Sequence, residues 1–335
     1  MKLDVSIAPD SIDEVPHLAQ AAEALGFDAV WTSETQHDPF LPLAVLAGNT
    51  QSIHFGTAIA VAFARSPTTL AHTAWDLANA SGGRFILGLG TQVKPHIERR
   101  FGMTWPESPV GKMREMIEAI RAVWHAWQTG ERLNYRGETL KLGLMTPFFN
   151  PGPIPDPDIP IFIAGVNPGL CRLAGELADG LHAHPYHSVR YLEEVVLSSI
   201  KEGTKIGGRD PREVELSVTV MTAESASQAG LIRSQIAFYA STPSYRPVMA
   251  LHGWGEVADR LSGLARRQAW EEMTGLITDD ILETFAVVAP RDRLGAALRS
   301  RYQGLADRVT LYAPFQLNNR DGSWAEILGG FRKSK

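Results

Sequence analysis

Short apolar runs alternate with amphipathic stretches of helical period along most of this chain, the pattern of a parallel sheet whose strands are joined by crossover helices. The first run is Leu3–Ala8. Ser11 and Glu14 then stand at capping-box spacing before a stripe of Val15, Leu18, Ala19, Ala22 and Leu25, and Gly26 closes that helix. Asp28–Thr32 starts the second strand. Further strands are predicted at Ile53–Val61, Phe85–Leu89, Ile159–Ile163, Gly180–His184, Leu216–Met221 and Arg308–Tyr312. Helices are predicted at Pro67–Ala80, Met113–Gln128, Pro168–Ala178, Val189–Ile206 and Arg291–Gln303. Eight strands with helices between them in one unbroken chain argue for an α/β fold, a single (β/α)8 TIM barrel over residues 1–335.

Two connections are too long for bare loops. The one after strand 4 holds the helix Met113–Gln128, a hairpin around Tyr135-Arg136-Gly137-Glu138 and a proline-dense loop from Pro147 to Pro160. The one after strand 7 runs over residues 224–284 and includes a helical piece at Trp254–Gln268. Neither has the strand content to build its own core. Both are therefore read as insertions on the active face, with Tyr239, Tyr245 and Trp254 forming an apolar wall over the barrel mouth.

Composition narrows the function classes. A chain of 335 residues, 44% of them hydrophobic, buries a sizeable core without staples, and its one cysteine, Cys171, allows no internal disulfide. The formal charge of −5 leaves no electrostatic footprint for nucleic acid or an anionic membrane. The amino terminus enters a strand-like run directly and no segment reaches membrane-spanning length, so the expectation is a cytoplasmic enzyme acting on a small molecule, with a homodimer as an open option.

In such barrels chemistry collects where strands end at the C-terminal face. Strand 2 ends in Thr32-Ser33-Glu34-Thr35-Gln36-His37-Asp38, which is either a capped loop or a site in which Glu34 and His37 transfer a proton or anchor substrate. Strand 3 carries small residues at Ala58, Ala60 and Ala62, which suit either a planar ring lying against the backbone or a crowded barrel interior. Arg65 follows and could pair with an anionic group. The glycines of Leu87-Gly88-Leu89-Gly90-Thr91-Gln92 allow tight turns but lack the dinucleotide-binding fingerprint. Ala164-Gly165-Val166-Asn167 joins strand 5 to a helix start, either a phosphate cradle or a plain turn. His182, His184 and His187 lack a third ligand at metal spacing, so they are read as hydrogen-bonded pocket histidines and no metal is expected.

Several segments, in order, resemble the luciferase-like flavin and deazaflavin oxidoreductases, in particular the branch that uses coenzyme F420. They are Gly26-Phe27-Asp28-Ala29-Val30-Trp31-Thr32-Ser33-Glu34, Phe55-Gly56-Thr57-Ala58-Ile59 through Arg65-Ser66-Pro67, Ser81-Gly82-Gly83-Arg84-Phe85 into Leu87-Gly88-Leu89-Gly90-Thr91, Leu173-Ala174-Gly175-Glu176-Leu177-Ala178-Asp179-Gly180, and Gly304-Leu305-Ala306-Asp307-Arg308-Val309. The resemblance covers nearly the whole chain. It implies a strand-3 bulge with a cis bond at Ala58–Ile59 behind the deazaflavin ring. It further implies cofactor contacts at Thr91, Gln92 and His96, a phosphate loop at Ala164, Gly165 and Val166, and the family's acid at Glu34. Many members place a histidine directly after that acid; here Thr35 stands there, and His37 is the candidate to take its role. The reaction implied is hydride transfer between F420 and a small organic substrate. The alternatives are an FMN-dependent monooxygenase, a non-catalytic flavin-binding protein of the same fold, and a cofactor-free barrel enzyme acting on phosphorylated metabolites.

Overall fold

The computed structural model describes residues 1–317 and 321–333. Eight parallel strands form the barrel: β1 (Lys2–Ser6), β2 (Ala29–Thr32), β3 (His54–Thr57), β4 (Phe85–Gly90), β5 (Ile161–Gly165), β6 (Gly180–Ala183), β7 (Glu215–Ala223) and β8 (Arg308–Leu311). Each pairs with the next in chain order, and β8 pairs with β1 to close the ring. Closure puts one strand face inside the barrel and the other under helices, so strands such as Phe85–Gly90 are buried along their whole length. That two-sided burial is why they read as continuous apolar runs rather than as alternating ones.

The barrel interior is filled by Trp31, Ile86 and Phe162 around Ala29 and Ala58. At its base the Arg308 guanidinium donates to both oxygens of Asp4 at 3.1 Å and to Glu215 at 2.6 Å, while Trp31 Nε1 donates to Asp4 at 3.0 Å. These four residues come from β1, β2, β7 and β8, so one polar cluster ties together the strands that meet where the barrel closes. Arg308 is buried, which makes the pairing with two carboxylates a requirement of its solvation rather than an ornament.

β3 does not run unbroken to Val61. Phe55 and Gly56 pair with Phe85 and Ile86, whereas Ala60 and Val61 pair with Leu89 and Gly90. Three residues therefore face two across the gap, a bulge with one extra residue on the β3 side. The Ala58–Ile59 peptide bond inside it is cis, as the resemblance implies. Gly88 on β4 makes room for this neighbour: a Cβ there would stand 1.7 Å from the Thr57 carbonyl oxygen. The Thr57 hydroxyl instead bonds both the Gly88 carbonyl (2.6 Å) and the Gly88 N–H (3.0 Å).

The predicted helices form, with informative differences. The helix expected from Met113 starts a turn earlier, at Pro109, because the Ser108 hydroxyl caps it by accepting from Gly111 N–H at 3.1 Å. The helical run from Val189 widens to a π-helix over Leu192–Leu197 before regaining α form. A short strand, Ala286–Val288, was not expected; it pairs with Met221–Ala223 where β7 outruns its barrel neighbours. The insertion after β4 divides in two. Its first part, to Pro109, reaches the C-terminal face. The hairpin (Tyr135–Arg136 with Lys141–Leu142) instead packs along the outside of helix Pro109–Thr129, which corrects its placement on the active face. Glu115 holds it there, accepting from the N–H groups of Glu138, Thr139 and Leu140 and from the Thr139 hydroxyl. No helix among the described residues is long and apolar enough to cross a membrane.

Candidate functional site

A cleft of about 730 Å³ opens at the C-terminal ends of the strands. Its floor is Ile59 of the bulge and Gly90 at the end of β4. One wall is the loop from Thr91 to His96, the second is Ala164 to Asn167, and the third is His184 with Phe238, Tyr239 and Tyr245 from the insertion after β7. A wider depression of about 870 Å³ lies at the opposite end of the barrel. Four of its charged groups are paired with one another, Arg121 with Asp179 at 2.8 Å and Arg209 with Glu213 at 3.3 Å, and in barrels of this kind that end serves stability. The chemistry therefore belongs to the first cleft.

Seven of the ten residues singled out from the sequence line the cleft: Ile59, Thr91, Gln92, His96, Ala164, Gly165 and Val166. Ala58, Glu34 and His37 are not among its lining residues. Ala58 packs inward against the Trp31 and Phe162 cluster. Glu34 is buried, and its carboxylate accepts from Val61 N–H at 2.7 Å and from Arg65 Nη1 at 2.5 Å. Its own N–H donates to the Ile59 carbonyl at 3.1 Å, while the Ser33 hydroxyl donates to the Ala58 carbonyl at 2.8 Å. The end of β2 thus straps the bulge from both sides. Arg65 also pairs with Asp38 at 2.9 Å, so the arginine left open by the sequence is the counter-charge of this strap. His37 is exposed and makes no hydrogen bond among the described residues.

The loop after β4 begins with Gln92 in the left-handed region at φ 59°, where its side-chain carbonyl accepts from Val93 N–H at 3.1 Å. The turn brings Lys94 and His96 to the cleft, and among the described residues no Asp or Glu lines it. After β5, the Val166 and Asn167 N–H groups have no backbone partner among the described residues, directly before the ten-residue helix Pro168–Leu177. Free amides at a helix start make this wall of the cleft a match for an anion, and Lys94, 3.8 Å from Glu98 on its own helix, adds a positive charge on the neighbouring wall. Phe238 and Lys94 were missed in the sequence. Phe238 sits in a helix without a clear apolar stripe, and nothing local marks it as a wall. Trp254, expected there, stacks on His252 at 5.1 Å and is not among the lining residues.

The three histidines of β6 and its loop go separate ways. His182 lies inside the barrel, edge-on to Trp31 at 4.9 Å. His187 is buried, with Nδ1 on the His184 carbonyl at 2.8 Å and Nε2 on the Tyr302 hydroxyl at 3.1 Å. His184 alone faces the cleft. No group of three or more His, Cys, Asp or Glu that could hold a metal occurs among the described residues.

A strapped bulge on β3 beneath a C-terminal cleft, walled by a helix-start loop, defines a ligand-binding TIM barrel, and comparison with known proteins places it. Residues 2–308 match the luciferase-like monooxygenase family, and the chain belongs to that family. It is 47% identical over 315 residues to an uncharacterised protein of Mycobacterium tuberculosis, covering 92% of each. It is 30% identical over 215 residues to an F420-dependent glucose-6-phosphate dehydrogenase of Nakamurella multipartita, covering 60% of this chain and 61% of that one. In fold it resembles the coenzyme F420 dependent tetrahydromethanopterin reductase of Methanopyrus kandleri, with a TM-score of 0.80 at 22% identity over 98% of this chain and 97% of that one.

Proposed function

We propose that this protein is an F420-dependent oxidoreductase that moves a hydride between the deazaflavin and a small organic substrate. The observation that carries the reading is the make-up of the cleft. Bulge, amide loop and lysine face one cavity that no carboxylate among the described residues lines, which suits a flat ring joined to a negatively charged tail. Family membership and the F420-dependent relative support the same cofactor. Bound there, the deazaflavin would supply the carbon that gives or takes the hydride.

The chain's own residues hold and orient. Ile59 offers the ring a surface, Gly165 and Val166 with Lys94 take the anionic part, and Thr91, Gln92 and His96 close the loop beside it. Glu34, by sequence a candidate for proton transfer or substrate anchoring, acts here by keeping the bulge in place through Val61 and Arg65. His37 remains the loop residue free to meet a substrate at the rim. The same reading takes residues 1–335 as one catalytic unit of the cytoplasm, working alone or as a homodimer.

Titration of the purified protein with F420 and with FMN, followed by absorbance and fluorescence, tests the cofactor. F420 is expected to bind more tightly, and substrate-dependent oxidation of the reduced form is expected to follow. Tight FMN binding without F420 binding would move the protein to the monooxygenases. F420 binding without turnover of any substrate would make it a carrier.

A further inference from the structure

His184 follows the last residue of β6 and turns its ring into the cleft. Its Nδ1 accepts from the backbone N–H of Tyr186 at 3.1 Å. A nitrogen that accepts carries no proton, so the neutral ring holds its hydrogen on Nε2. The ring is set edge-on to Tyr239 with centroids 4.7 Å apart and interplanar angle 84°, and leans on Tyr245 at 4.7 Å and 44°. Tyr239 is itself fixed, because its hydroxyl shares a hydrogen bond of 2.6 Å with that of Tyr312. Among the described residues nothing accepts from His184 Nε2. The result is a donor of fixed direction at the edge of an aromatic recess.

We propose that His184 Nε2–H is the substrate's hydrogen-bond donor in this cleft and that it selects an uncharged, planar molecule bearing a carbonyl oxygen. This deepens the redox reading above and rests on it for the assignment of the recess to substrate rather than cofactor. Three observations lead to that class. The recess walls are aromatic, so they suit a flat unsaturated body. Among the described residues an ammonium group would find no carboxylate lining the cleft, and burying it unpaired is costly. The donor itself is uncharged: burial, then the neighbouring His187, push the His184 imidazole down to about 3. The groups around it are His187, Tyr186, Tyr239 and Tyr245, none of which is a carboxylate that would favour the imidazolium. A carboxylate substrate would therefore meet a neutral donor where it wants a cation.

The test uses the whole protein labelled with ¹⁵N-histidine, with and without F420, and cyclohex-2-en-1-one as the probe. Benzoate and benzylammonium serve as charged planar controls. Long-range ¹H–¹⁵N spectra are expected to show His184 protonated on Nε2 alone. The enone should shift that nitrogen saturably, and neither control should. His184→Phe keeps the ring packing and removes the donor, so enone affinity read by calorimetry should fall roughly tenfold, while His184→Gln, which restores an N–H, should recover most of it. A donor with only a structural role would leave the Nε2 resonance indifferent to the enone. That result, or a larger shift with benzoate, would overturn the proposal. If the enone response is seen but F420 fails to bind, the redox reading falls with the assignment of the recess to substrate, and His184 stands as the donor to a planar carbonyl ligand.

Discussion

Replacing Glu34 separates a residue that holds the bulge from one that moves a proton. Glu34→Ala removes one buried carboxylate and leaves two donors behind, Val61 N–H and Arg65 Nη1, formerly at 2.7 and 2.5 Å. A hydrogen bond to a charged group contributes about 1.5–3 kcal/mol, and Arg65 keeps Asp38 as a second partner, so the loss falls near the low end for that donor. The sum is about 3 kcal/mol. Unfolding entropy scales at about 2.1 cal/mol/K per residue, so over 335 residues this lowers Tm by roughly 4 °C. Glu34→Gln keeps one acceptor oxygen without the charge, and about half the loss is expected. In a double-mutant cycle with Arg65→Met the two substitutions should be strongly non-additive. The assay is urea unfolding with the slope checked for constancy, run beside F420 titration. F420 affinity should fall together with stability, because Ile59 rides on the strap. A Glu34→Gln protein of unchanged stability whose single-turnover rate drops roughly 100-fold or more would refute the positioning role and restore Glu34 as a proton-transfer group.

Gly88→Ala should give little folded protein, since the new methyl would overlap the Thr57 carbonyl, whereas Gly48→Ala, in an exposed helical position with open space around it, should express normally; yield and circular dichroism decide. His187, buried between the His184 carbonyl and Tyr302, is pushed by burial down to about 4 from an ordinary 6.5. Its depressed value means its stabilisation is complete above about pH 6.5 and is lost as pH falls toward 4, by about 3 kcal/mol in all. Asp4, raised to about 6 chiefly by burial, acts in the opposite sense over pH 4 to 6, so the measurement is the difference in unfolding free energy between the parent and His187→Gln across that range. An identical slope in both proteins would count against the His187 assignment. Lys94→Glu should weaken F420 binding roughly tenfold or more at low salt and less at high salt, and an effect that salt leaves unchanged would show that charge is not what Lys94 contributes. Gly165→Glu should do the same and add bulk, since a Cβ there already stands 2.9 Å from Leu181.

Much of this protein is written locally. Strand runs, the side-chain cap at Ser11 and the left-handed glycine stop at Gly26 depend on residues a few positions apart, so periodicity and capping chemistry were enough to read them, whereas the Ser108 cap lay outside the expected helix. The resemblance added the bulge, with its cis bond, and the two loops that line the cleft. Read alone, the small residues at Ala58, Ala60 and Ala62 left a ring site and a crowded interior equally open. Ala58 in fact packs inward, while its neighbour Ile59 forms the cleft floor.

What the tertiary structure decided are the partnerships between residues far apart in sequence. Glu34 reads as a free acid until the fold brings Arg65 and Val61 to it across the bulge. Asp4 and Arg308 look like ordinary surface charges at the two ends of the chain, yet closing the barrel buries them against each other. The hairpin after β4 was visible, but its direction was not, because the carboxylate that holds it, Glu115, belongs to a preceding helix. Local sequence sets which backbone shapes each segment prefers and which of its faces avoid water. Which charge neutralises which, and which side chain is left facing an empty recess, depends on the closure of the barrel, where residues hundreds of positions apart come to share one dielectric environment.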